Sequence, residues 1–203
     1  MDFQDVVRKR RMVRQFSDDP VSPDALDRII RTAQRGPSAG YSQGVEFVIV
    51  TDGATRRDIA ALATRSADGA ANIARIPVHV VICASPETYK SRYREHDKQR
   101  TRAAMSDDEL WQVPYWYVDA GCAMMLALLA VVNEGLSASF IGVWRHDELK
   151  RLLSIPEEYL PIGLVLIGHR APDERPQGSA TTRPRRPLSE IAHRERWWPA
   201  DAR

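Results

Sequence analysis

Between Val118 and Glu134 the chain holds one long apolar segment, and its Ala120–Val132 part carries no charged side chain. Such a run cannot face water on all sides, and it falls short of the roughly 20 apolar residues that span a bilayer. Asp119 precedes it and Asn133-Glu134 follow it, so it reads as a core helix around which the rest must pack. Cys122, Met125, Leu126 and Leu129 form its expected apolar face, and Gly135 is the stop signal. Asp119 at the helix start has two readings, a carboxylate for the helix dipole and cap or a group near chemistry.

Four β-branched, apolar runs supply candidate strands: Val45–Val50, Pro77–Cys83, Ser137–Val143 and Pro161–Gly168. Helical patterns lie between them. Phe3, Val6 and Val7 mark a short opening helix. Ser22 is placed to cap a second, with Pro23 in its first turn and Leu26, Ile29, Ile30 and Ala33 as its stripe. Thr55–Thr64 and His146–Leu153 complete the set. At 203 residues, 43% of them hydrophobic, the chain makes one domain over 1–203 with an ample core. A net charge of +2 is too small for a nucleic-acid protein, and the arginines are not interleaved with stacking aromatics. Cys83 and Cys122 sit in apolar surroundings and read as reduced thiols, which points to the cytoplasm. Met1–Arg14 has no apolar stretch of secretory-signal length, and no membrane partner is expected. His79, His96, His146, His169 and His193 form no paired motif, so no metal is expected. His79, alone in a strand, reads as a core or interface residue.

Three stretches carry chemistry. Gly36-Pro-Ser-Ala-Gly-Tyr-Ser-Gln-Gly44 feeds the first strand; its small residues leave backbone N–H groups free and let a flat ligand approach, unless its glycines serve turn geometry alone. Arg8-Lys-Arg-Arg11 with Arg14 is either a solvated helix end or an anion site, because guanidinium forks match phosphate oxygens. Arg183-Pro-Arg-Arg-Pro187 repeats that pattern late in the chain, after a polar stretch over 172–182. The charged excursion over 86–117, bracketed by Tyr89, Tyr93, Trp111, Tyr115, Trp116 and Tyr117, reads as a lid over a planar substrate or as a solvent-facing insertion. The residues 171–203 read as a C-terminal arm.

These motifs resemble those of the nitroreductase superfamily of flavin-dependent oxidoreductases. Arg10-Arg-Met-Val-Arg14-Gln-Phe16 is similar to its Arg-Arg-Ser-x-Arg-x-Phe opening. Pro37-Ser-Ala-Gly-Tyr-Ser-Gln43 resembles its Pro-Ser-x-x-Asn-Ser-Gln loop, and Arg185-Arg-Pro-Leu188 its closing basic-Arg-Pro segment. The resemblance implies an α+β fold with a central mixed sheet flanked by helices, an intertwined homodimer, and FMN at the interface. It implies phosphate contacts from Arg10, Arg11, Arg14, Arg185 and Arg186. Pro37, Ser38, Ala39, Ser42 and Gln43 would lie against the ring and ribityl chain, with Ile141 and Gly142 approaching from the partner side. NADPH or NADH is the implied reductant, and a nitro compound, quinone or enone the implied acceptor.

No catalytic side chain is assigned, since the flavin carries the hydride chemistry. Three positions depart from the family pattern. Met12 replaces a Ser and removes a hydroxyl from the phosphate site. Tyr41 replaces an Asn, and Gly44 stands where Pro often follows Gln. Tyr41 and Trp116 are therefore the candidate substrate-facing residues. Two other readings stand beside the leading one: a flavin-modifying or oxygen-using relative, and a flavin-binding store or sensor without turnover.

Overall fold

The computed structural model describes residues 1–175 and 178–197. In chain order the elements are α1 (Phe3–Lys9), α2 (Pro23–Ala33), β1 (Val45–Val50), α3 (Gly53–Ala63), α4 (Ala67–Arg75) and β2 (Val78–Ala84). There follow α5 (Pro86–Tyr93), α6 (Gln99–Ala103), α7 (Asp107–Leu110), α8 (Tyr115–Asn133), β3 (Ser137–Ile141), α9 (His146–Leu153), β4 (Leu160–Gly168) and α10 (Leu188–Ile191). All four expected strands form, their ends moved by a residue or two. Two helical stretches had no clear signal: α4, and the short helices α5 to α7 of the charged excursion.

The strands make one sheet in the order β1-β2-β4-β3, flanked by helices, so the class is α+β. Every strand pair is antiparallel; the parallel component is confined to an isolated bridge between Met12 and Ala138. β2 is buried along its whole length because neighbours cover both its edges and helices both its faces. On one face α8 and α2 pack over Val78, Val80, Ile82, Val165 and Ile167; on the other lie Ile59, Val81, Leu149, Leu164 and Leu166.

The face α8 buries differs from the expected one. Ala120, Ala123, Ala127, Leu128, Ala130 and Val131 point inward, whereas Met125 is 42% exposed and Cys122, Leu126 and Leu129 are only half-buried. Small side chains let α8 approach the sheet and α2 closely, so the larger ones are displaced outward. By length and composition the stretch 107–133 could cross a membrane, yet its buried stripe packs into the main core. In α1 only Val6 is buried; Phe3 and Val7 stay exposed. Ser22 occupies the N-cap of α2 without a side-chain cap bond, and Pro23 does the starting. His79 is fully buried in β2, its Nε2 2.9 Å from the carbonyl of Ile73.

Candidate functional site: a basic groove and a strained loop

The opening basic segment leaves α1 and runs along the outer edge of β3, held where the N–H of Val13 donates to the carbonyl of Ala138 at 3.0 Å. Further on, Ser17 N–H donates to His169 O and Ala171 N–H to Gln15 O, which ties the start of the C-terminal arm to the same edge. The two distant arginine clusters therefore meet. A groove of about 1370 Å³ is lined by Arg10, Arg11, Arg14, Arg170, Arg183 and Arg185, with Val132, Gly135 and Ala138 as its wall.

Within that groove the arginines divide. Arg170 is paired with Glu174 at 2.9 Å. Arg11 turns back on the carbonyls of Arg8 and Arg10 and so finishes α1. Among the described residues Arg10, Arg14, Arg183 and Arg185 have no carboxylate partner. Arg186, expected in the site, lies outside the groove and bonds to Glu190 at 3.2 Å. Arg183 takes the place expected for it; it stands in the same cluster, and only the fold says which member faces inward. Guanidinium groups brought together repel one another, and Glu174, paired with Arg170, is the carboxylate among the residues that line the groove. Met12 contributes backbone pairing and a half-exposed side chain there, with no hydroxyl.

The Ser/Gly loop sits elsewhere, at the N-terminal end of α8. A 3₁₀ turn over Ala39–Tyr41 gives it shape, with positive φ at Gly40 (63°), Tyr41 (58°) and Gln43 (54°). For the two non-glycine residues this is an uncommon, strained conformation. Most of its N–H groups are engaged, contrary to the expectation that they are free. Tyr41 N–H donates to Ser38 O, Ser42 N–H to Ala39 O, and Gln43 N–H to Ser38 Oγ at 2.7 Å. Ala39 N–H donates to the buried carboxylate of Asp119 at 2.8 Å. Ser42 is itself buried, its hydroxyl donating to Ala39 O at 2.6 Å, so it shapes the loop instead of presenting a hydroxyl. Pro37, Tyr41 and Gln43 are exposed, and Ser38 and Ala39 half-buried. What the loop offers a ligand is these side chains.

The excursion closes behind the loop. Tyr89 is fully buried and donates its hydroxyl to Asp119 at 2.7 Å; burial and the adjacent carboxylate both raise the pKa of its phenol. The space above Gly44 is filled by the Tyr89 ring, which a Cβ there would meet at 2.6 Å; this is why no bulkier residue stands there. Trp116 packs edge-on to Tyr89 and tilted against Trp111, and both tryptophans line a second, smaller cavity of about 400 Å³ with Glu87, Lys90 and Asp108. Tyr41 is 72% exposed, which excludes a core role for it.

Ile141 and Gly142 end β3 on the same sheet edge as the basic segment, and Gly142 is open to solvent. From Ala138 to Ile141 is about 10 Å at strand spacing. The loop is farther from the groove. Asp119 touches the loop and Val132 the groove, and the length of α8 between them is about 20 Å. One chain therefore brings together Arg10, Arg14, Arg183 and Arg185, with Ile141 and Gly142 outside the groove about 10 Å along β3 from its wall and Pro37–Gln43 farther off. Among the described residues no cluster of His, Cys, Asp and Glu could hold a metal ion.

Fold and motifs converge with the comparisons. The Nitroreductase family model matches residues 7–169, and the chain belongs to that family. The FMN reductase [NAD(P)H] of Bacillus subtilis (strain 168) is 30% identical over 196 residues, covering 91% of this chain and 70% of that protein. The NADH dehydrogenase of Thermus thermophilus is 28% identical over 193 residues, covering 87% and 90%. The solved structure of B. megaterium NfrA2 superposes with a TM-score of 0.76 at 26% identity, over 97% of this chain and 76% of that one. The family match stops short of the late arginines; the motif pointed to Arg185, and Arg183 joins it in the groove through the fold alone.

Proposed function

We propose that this chain is an NAD(P)H-dependent flavin oxidoreductase whose FMN is held between two copies of the chain. The convergence in one groove of Arg10, Arg14, Arg183 and Arg185, which have no carboxylate partner among the described residues, supports this most directly, since a phosphate dianion would supply their countercharge. Ile141 and Gly142 lie within a ribityl chain's reach along the same edge, open enough to admit a flat ring. In this reading Pro37, Ser38, Ala39 and Gln43 come from the second copy. The half-exposed apolar face of α8 and the exposed Leu188, Ile191 and Trp197 of the arm are the surfaces such a copy would cover.

Bound there, FMN would supply the chemistry of hydride transfer between a reduced nicotinamide and an acceptor. The protein's part is to neutralise the phosphate, orient the ring and leave one face open. The acceptor proposed is a thin conjugated molecule such as a nitro compound, quinone or enone, with exposed Tyr41 beside its path. The excursion over 86–117 is proposed as a lid and the stretch from 171 as an arm; residues 176, 177 and 198–203 of that arm lie outside the described residues. The proposed setting is a reducing compartment, with Cys83 and Cys122 free and burial pushing the Cys83 thiol up to about 12.

The test is spectroscopic. The purified protein should carry visible flavin absorption bands that NADPH or NADH bleaches anaerobically. Bands that neither nucleotide bleaches would leave a flavin store, and failure to take up added FMN would end the proposal.

A further inference from the structure

Asp119 is nearly fully buried, and a single oxygen of its carboxylate accepts two hydrogen bonds from different parts of the fold. One comes from the N–H of Ala39 in the strained loop at 2.8 Å, the other from the hydroxyl of Tyr89 on α5 at 2.7 Å. Removing a carboxylate from water is costly unless it is paired, and the described ion pairs give Asp119 no cation. The helix begins at Tyr115, so Asp119 stands beyond its first turn and is neither its cap nor a first-turn dipole partner as the sequence suggested; the two hydrogen bonds are what satisfy it.

The geometry points to Asp119 as the positioning residue of the ring-contacting loop, which it locks to the excursion helix α5 through Tyr89. This rests on the flavin reading of the loop given above. Ala39 opens the 3₁₀ turn, and the positive-φ residues Gly40, Tyr41 and Gln43 follow directly. A strained segment keeps one shape only where its surroundings over-determine it. Here the Asp119 bond holds its first residue, Ser38 Oγ holds its last N–H, and the Tyr93 ring closes over Gly40, where a Cβ would sit 2.5 Å from it. Displacement of α5 moves the Tyr89 hydroxyl, and with it the oxygen that holds Ala39. Ligand contacts made by the excursion and the shape of the loop are thereby coupled through one atom.

The experiment compares wild type, Asp119→Asn and Tyr89→Phe, each prepared flavin-free, titrated with FMN and with riboflavin, and melted without flavin. An amide at 119 can turn its one oxygen to both donors, but it removes the charge that strengthens both bonds and puts an NH2 where the carboxylate's other oxygen stood. Asp119→Asn should therefore weaken FMN and riboflavin alike, by roughly tenfold, and shift the bound flavin's visible spectrum. Tyr89→Phe leaves the Ala39 bond in place; it should weaken both by a few-fold with the same direction of spectral shift. Arg14→Ala, by contrast, should weaken FMN alone. A lower melting temperature with unchanged flavin affinity and spectrum in both variants would make Asp119 a purely structural residue and overturn the inference. If Asp119→Asn does not fold, Tyr89→Phe decides on the same readouts. Wild type that binds neither flavin defeats the proposed function instead, so the two failures are distinct.

Discussion

At the scale of single residues, the groove arginines differ by what else they do. Arg11 and Arg170 have partners inside the chain, as does Arg186 outside the groove, while Arg10, Arg14, Arg183 and Arg185 have no carboxylate partner among the described residues. Arg14→Ala and Arg185→Ala should each weaken FMN binding by roughly ten- to a hundredfold, the range for one charge-assisted hydrogen bond, with riboflavin affinity unchanged. Arg186→Ala should change neither affinity, and fluorescence titration of the variants against both flavins checks all of this. Tyr41 invites a second substitution. Its ring is exposed and its φ of 58° lies in the left-handed region, where Asn is better tolerated than Tyr. Tyr41→Asn should keep or slightly raise the melting temperature and speed reduction of a generic nitroarene. A core-sized stability loss would contradict the exposed placement.

Elements meet at two points where one atom decides the fit. Where β1 begins, Gly44 lies under the Tyr89 ring of α5, and a methyl group there would overlap it at 2.6 Å. Gly44→Ala should cost about 1–3 kcal/mol by overpacking and, through Tyr89, disturb flavin binding as well. A thermal melt beside a flavin titration reads both effects. The second point joins β2 to α4 through His79. Burial lowers its pKa from 6.5 to about 4, outweighing the bond to the Ile73 carbonyl, which acts the other way. The folded state thus refuses a proton that the unfolded chain takes up. Stability from this group is complete above about pH 6.5 and declines as pH falls towards 4. Between pH 7.5 and 4.5 wild type should lose about 2–3 kcal/mol more than His79→Gln, measured by urea unfolding at each pH.

For the whole molecule, the separation of loop and groove along α8 is the deciding fact. A site divided between copies requires a dimer that sediments at twice 22.9 kDa, and a folded species of 22.9 kDa alone would refute it. Complementation tests the division itself. Arg14→Ala/Arg185→Ala and a loop variant, Ser38→Ala/Gln43→Ala, should each be nearly inactive alone. Co-expressed, they should recover about a quarter of wild-type turnover, since random pairing gives half heterodimers with one intact site each. A site made within one chain would recover nothing.

Much of this was legible in the chain as written. β-branched runs marked the four strands because burial inside a sheet demands them, and Pro23 and Gly135 punctuate helices through their own backbone limits. The three motifs named the family because they are local. The inward face of α8 was not legible: an all-apolar helix has no polar side to orient it, and only the approach of α2 and the sheet selects the alanine stripe. Nor could the late arginines be sorted, since Arg183, Arg185 and Arg186 are alike until the arm docks beside the opening segment. The same holds for Asp119, whose carboxylate meets Ala39 and Tyr89 only after residues 80 and 30 positions away have folded onto it. Local backbone and burial preferences act over a few residues and are written in the sequence. Which side chains share a groove or an oxygen depends on long-range packing, and the tertiary structure alone decides it.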